Sequence, residues 1–170
     1  FKPFNDRYGF RAGDRAIRLF ADILRKSLDG RTCFIGHIGG DDFLVGFAGV
    51  PKEEVYSTVA EVTRRFAHEV ESFYDPADRA RGGILARDRE GRECRFPLLT
   101  CAAAVVEWPA HSDERSLEQL SRLGAEAKKV AKISPDRFSR VVVGADGCSS
   151  PVPLRLDQIG AQPQQTFDFT

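Results

Sequence analysis

The sequence is most informative at first in what it lacks. No methionine occurs among its 170 residues, so there is no initiator, and the abrupt opening Phe1-Lys2-Pro3 reads as the start of a fragment. Charge of one sign is not in excess: Lys+Arg and Asp+Glu stand at 25 each. A duplex-binding surface carries a clear basic surplus, so DNA and RNA are not expected partners. The four cysteines, Cys33, Cys94, Cys101 and Cys148, form no C-x-x-C pair and have no histidine at zinc-ligand spacing. They read as thiols of a reducing, cytoplasmic protein. No signal peptide is visible, and no apolar run approaches the ~20 residues that span a bilayer. The longest apolar-rich stretch, Leu98 to Trp108, is broken by Thr100 and Glu107 and reads as a buried strand.

What is present is enough for a core. Hydrophobic residues make up 42% of the chain, and 13 phenylalanines supply bulky packing groups. Gly13 precedes a stretch with Ile17, Phe20, Ala21, Leu24 and Leu28 at three-to-four spacing, which predicts a helix ending at Asp29-Gly30. Two short apolar-rich runs, Phe34 to Ile38 and Phe43 to Phe47, flank Gly39-Gly40-Asp41-Asp42 and predict a hairpin. Pro51 opens a long helix with Val55, Val59, Val62, Phe66, Val70 and Phe73 on one stripe.

The segment from Tyr74 to Arg95 is polar and rich in arginine, with a turn at Asp88-Arg89-Glu90-Gly91, and predicts a protruding hairpin with a solvated face. Leu98 to Val106 predicts a strand. Ser116-Leu117-Glu118-Gln119 is a capping-box pattern opening a helix that carries Leu120, Leu123, Ala127 and Val130. Val141 to Val143 predicts a last strand. Pro151, Pro153, Pro163 and three glutamines mark residues 144–170 as linker or tail. The order of elements defines an α+β domain over residues 1–143, an antiparallel-rich sheet covered by helices.

Three clusters have chemical potential: the segment Phe1 to Asp14, the hairpin Gly39-Gly40-Asp41-Asp42-Phe43, and Ala131-Lys132. Each has an ordinary structural reading, as a polar loop before a helix with Asp14 in its first turn, a tight turn, and an exposed lysine. Their order and spacing resemble the GGDEF family of diguanylate cyclases, from Phe1 to about Val143. The resemblance implies a nucleotide-cyclase or ferredoxin-like sheet with flanking helices, and synthesis of cyclic di-GMP from two GTP with Mg2+ or Mn2+. Attack of a 3′-hydroxyl on an α-phosphate builds charge on phosphate oxygens, which metal ions neutralise. Carboxylates are hard ligands suited to Mg2+. By resemblance Asp41 is the metal ligand and catalytic residue and Asp42 its catalytic neighbour. Gly39 and Gly40 leave room for phosphates. Asn5 and Asp14 would read the guanine edge, and Lys2 and Lys132 would face the phosphates. Each domain holds one GTP, so a homodimer is implied for activity.

The chain also departs from the family pattern. The family's first strand, with its Asp-x-Asp, would lie upstream of Phe1, so a strand is expected to be missing and the fragment to be weak or inactive. Asp42 stands where glutamate is usual, Cys101 to Ala104 where Ser-x-Gly is usual, and Asp136 where an arginine is expected, with Arg137 or Arg140 as substitutes. The inhibitory Arg-x-x-Asp would fall at Gly30 and Cys33, so feedback inhibition through it is not expected. The insertion from Tyr74 to Arg95 and the run Arg95 to Leu99 look like a subgroup found beside EAL phosphodiesterase domains. Three functions follow: an active cyclase, a degenerate GTP-binding regulator of an EAL domain in the same polypeptide, and an interaction module using the arginine-rich hairpin.

Overall fold

In the computed structural model, the described residues are 1–87, 90–108, 117–143 and 151–155. The chain divides into two compact units, residues 1–50 with 60–101, and residues 51–59 with 102–170.

The first unit opens with a helix in the polar segment that could be read as a loop, followed by the predicted helix. Helix α1 spans Lys2–Tyr8, with Pro3 in its first turn, where a missing N–H is harmless. Gly9, at φ 84°, breaks the chain and lets α2 run from Phe10 to Leu28. The helix therefore starts before Gly13, which lies inside it, and Asp14 is not a first-turn acid. The buried face of α2 is Gly13, Ala16, Ile23, Leu24 and Leu28. Ile17, Phe20 and Ala21 are only half-buried.

Strands β1 (Cys33–Gly39) and β2 (Asp42–Phe47) form the expected antiparallel hairpin. Ile35, Val45, Phe43 and Phe47 pack against the core, and α2 lies on β1. Helix α3 spans Lys52–Val70, and Val62, Phe66 and Val70 carry the predicted stripe into the core of the first unit. A 3-10 turn at Glu71–Phe73 follows.

The polar segment after Tyr74 holds an element its composition did not announce. Asp75 caps a short helix α4, Pro76–Arg81, by accepting a hydrogen bond from Asp78 N at 2.7 Å. Gly82, at φ 66°, ends it. Strands β3 (Gly83–Arg87) and β4 (Glu93–Pro97) then form the antiparallel hairpin, of whose turn Asp88 and Arg89 lie outside the described residues. Its buried root is Ile84, and α1 packs against β3.

In the second unit, β5 covers Ala103–Glu107, beginning five residues later than the apolar run suggested. Leu98, Leu99 and Cys101 pack against the first core from irregular backbone instead. Helix α5 spans Leu117–Ile133, and the proposed cap residue Ser116 lies outside the described residues. Strand β6 (Phe138–Val142) pairs in parallel with β5, and a two-residue strand β7 (Val152–Pro153), from the expected tail, pairs antiparallel with β6. Leu123, Ala127, Val141 and Val143 are the core here. Among the described residues, strand pairing is thus antiparallel in three of the four ladders, and the architecture is α+β, as the sequence pattern indicates.

Candidate functional site

The candidate residues of the first unit lie on α1, α2 and the β1–β2 hairpin. Asn5 sits mid-way along α1, half-buried, and its side-chain Oδ1 is buried with no hydrogen-bond partner. The reason is visible across the α1–α2 contact. A Cβ placed on Gly13 would lie 2.0 Å from Asn5 Oδ1, so the carboxamide occupies the space a side chain at position 13 would fill. Asn5 is thereby brought against the residue that precedes Asp14, whose own side chain is exposed. An unpartnered buried acceptor costs roughly 1–3 kcal/mol until something donates to it.

Lys2 is exposed and bonds Asp6 at 2.8 Å, one turn along α1. Such a surface pair is worth roughly 0–1 kcal/mol, so a phosphate could readily compete for the ammonium.

The hairpin turn is built from Gly39 at φ 148° and Gly40 at φ 56°, both conformations that glycine adopts without strain. The ladder register shifts between His37 and Gly39, and Gly39 pairs with Asp42. The His37 Nε2–H donates to the Gly40 carbonyl at 3.0 Å, and its ring stacks on Phe43 at 4.6 Å. Asp41 is thus held exposed at the tip, while Asp42 begins β2 and is half-buried. Among the described residues no group of three or more His, Cys, Asp or Glu side chains converges as a metal cage. Mg2+ is commonly bound through one or two carboxylates, with phosphates and water completing its shell. An exposed Asp41 beside Asp42 fits that shared mode and could hold a metal together with a nucleotide.

Lys132 is exposed near the end of α5, in the second unit. Its carbonyl accepts a hydrogen bond from Arg137, whose backbone is at φ 55°. The guanidinium considered as a substitute for the family's arginine closes the C-terminus of α5.

A group of residues that the sequence reading did not single out fixes α1. Asp78, 2% exposed, accepts from the Tyr8 hydroxyl at 2.6 Å, from Arg7 Nε at 3.2 Å and from Arg81 at 2.6 Å. Arg7 also reaches Asp75 at 3.1 Å. The Tyr8 hydrogen bond, with Arg7 and Arg81, holds the Asp78 carboxyl below its usual range despite its burial. Burial and the bond to Asp78 push the Tyr8 hydroxyl up, and the hydrogen bond to Asp78, with its charge, raises Arg7. Beside them Phe4, Tyr8 and Tyr74 form a ring cluster with centroids 5.1 to 5.4 Å apart. Tyr74, whose hydroxyl accepts from Leu99 N at 2.8 Å, is pushed up to about 12 by burial. The segment expected to be a solvated face is therefore partly a buried polar junction.

The family model described as "Diguanylate cyclase, GGDEF domain" matches residues 1–85, half of the chain. Together with the α+β architecture, this places the chain in the class of cyclic di-GMP signalling domains. It belongs to the GGDEF family. No curated protein and no solved structure matches it. Members of the family generally bind GTP, use a divalent metal and act as dimers. The match spans α1, α2 and both acids of the hairpin, and stops short of Lys132. Among the described residues, no helix is long and apolar enough to cross a membrane.

Proposed function

We propose that this domain binds GTP and, in the intact protein, joins two GTP into cyclic di-GMP as a face-to-face homodimer. Asn5 and Asp14 read the guanine: the Asn5 carboxamide, seated by its oxygen against Gly13, offers its NH2 group to O6, and the Asp14 carboxylate accepts from the N1–H and N2–H donors that adenine lacks. Lys2, released from Asp6, meets phosphate, and Gly39 and Gly40 let the phosphates approach the hairpin backbone. Asp41 and Asp42 hold Mg2+ or Mn2+, which when bound neutralises charge building on the α-phosphate and leaving oxygens. Asp41 also takes the proton from the attacking 3′-hydroxyl. The domain works in the cytoplasm.

The observation that carries this reading is the Asn5 carboxamide seated against Gly13, the residue preceding Asp14, in a chain of this family. Incubating the intact protein with GTP and Mg2+ tests it by chromatography of the products. Cyclic di-GMP that disappears in Asp41→Ala supports synthesis. GTP binding without product supports the second reading, a degenerate regulator of an EAL phosphodiesterase domain in the same polypeptide. That reading is favoured by the shorter Asp42 and by the Cys101 to Ala104 stretch. Absence of GTP binding refutes both.

A further inference from the structure

We infer that Gly13 is a positioning residue for nucleotide recognition, because its missing side chain is the notch that seats the Asn5 carboxamide. The inference rests on the guanine reading of Asn5, but the packing that motivates it does not. Gly13 is buried in α2, and a Cβ there would meet Asn5 Oδ1 at 2.0 Å, Asn5 Cγ at 3.0 Å and the tip of the Phe1 ring at 3.2 Å. Real side chains do not approach at 2.0 Å. All three atoms belong to side chains rather than backbone, so the helices need not part. The carboxamide rotates out instead, and the group that faces the nucleotide edge is lost from its place.

The local helix preference runs the other way, which makes the claim separable from a loss of folding. Gly13 lies in the interior of a long helix, where alanine is favoured over glycine. Were Gly13 there for α2 alone, replacing it with alanine would help. The same argument does not apply to Gly9 or Gly40, whose positive φ angles require glycine for the backbone itself. At Gly13 the requirement comes from a neighbour's side chain.

The test is a double-mutant cycle on the protein with Gly13→Ala, Asn5→Ala and the pair, read by thermal unfolding and by titration with a fluorescent GTP and with ATP. Gly13→Ala is expected to keep the melting temperature near that of the parent and to weaken GTP binding about tenfold. It is also expected to lower GTP-over-ATP selectivity toward that of Asn5→Ala. In the Asn5→Ala background, Gly13→Ala is expected to cost no further affinity and to raise the melting temperature. The Asn5 side-chain NH2 resonances are expected to shift in Gly13→Ala without any nucleotide present. Additive effects on melting, with unshifted Asn5 resonances, overturn the inference whether or not GTP binds. A parent protein that binds neither nucleotide, alongside a non-additive melting cycle, upholds the packing of Asn5 on Gly13. That result overturns the recognition role together with the guanine reading.

Discussion

Phe4 and Phe10 stand six positions apart in one polar-looking segment, and their replacement by alanine should have opposite consequences. Phe4 is 1% exposed and touches the rings of Tyr8 and Tyr74, whereas Phe10 is 77% exposed. A buried phenylalanine removes at least about 150 Å² from water, and at ~25 cal/mol per Å² this is about 4 kcal/mol. Phe4→Ala should therefore cost roughly 3–5 kcal/mol, the range seen for buried rings once the residual cavity is included. Against a typical total of about 5–15 kcal/mol this is a large share. At roughly 2–4 °C per kcal/mol for a chain of this size, the melting temperature should fall by about 6–20 °C. Phe10→Ala, which empties no cavity, should stay within about 0.5 kcal/mol of the parent. Urea unfolding followed by far-ultraviolet circular dichroism measures both. A Phe4→Ala loss within about 1 kcal/mol of the Phe10→Ala value would refute the placement of α1 against the Tyr8–Tyr74 cluster.

Asp75→Ala removes the cap of α4 and a partner of Arg7, and should cost about 0.5–2 kcal/mol in urea unfolding; an unchanged midpoint would contradict the cap. Tyr74 should titrate near 12 by absorbance at 295 nm, and Tyr8 should also titrate above the ordinary tyrosine value. Because the folded value of Tyr74 exceeds the unfolded value of about 10, the folded state holds the proton longer, so stability falls as pH climbs from about 10 to 12. Asp78 has the opposite linkage: its stabilising contribution is present above the ordinary carboxyl value and is lost as pH falls through its lower folded value. Asp78→Asn should flatten that acid limb in a pH series of melting curves, and an unchanged limb would remove Asp78 as its source. Ala131 is fully buried on α5, so Ala131→Leu should overpack the second unit by roughly 1–3 kcal/mol, seen as a lower urea midpoint.

Much of the architecture was legible because periodicity reports burial directly. The β1–β2 hairpin and the stripe of α3 both follow from spacing alone. Helix α1 was hidden by its polar residues, although Phe1, Phe4 and Tyr8 at three-to-four spacing and Pro3 near the start were helix signals. Helix α4 likewise had its signature in Asp75-Pro76 before and Gly82 after, a cap, a first-turn proline and a terminating glycine. Composition concealed both, since a charged segment reads as solvated. The burial of Asp78 had no local signal at all: its partners Arg7 and Tyr8 lie about seventy positions away. The late start of β5 shows the converse limit, because Leu98 and Leu99 are apolar for the first core without being in a strand. For the candidate site, residue types and order were readable, but the dependence of Asn5 on Gly13 needed the packing of α1 on α2.

That packing explains why so short a helix can carry a recognition residue. Seven residues are too few for a helix to persist alone in water, since nucleation costs more than one turn returns. Helix α1 is held instead at three points by groups outside it. Phe4 enters the ring cluster, Tyr8 and Arg7 bind the Asp78 carboxylate, and Asn5 fills the Gly13 notch. The first two contacts bring residues 74 to 81 to the helix, so the arginine-rich segment serves the folded position of α1 through its acids. The third contact differs in kind: it leaves an acceptor without a donor, where a residue serving stability alone would have satisfied it. A helix anchored by its aromatic and charged residues can tolerate that cost at Asn5, and a carboxamide seated in this way would keep its NH2 group for a purine carbonyl.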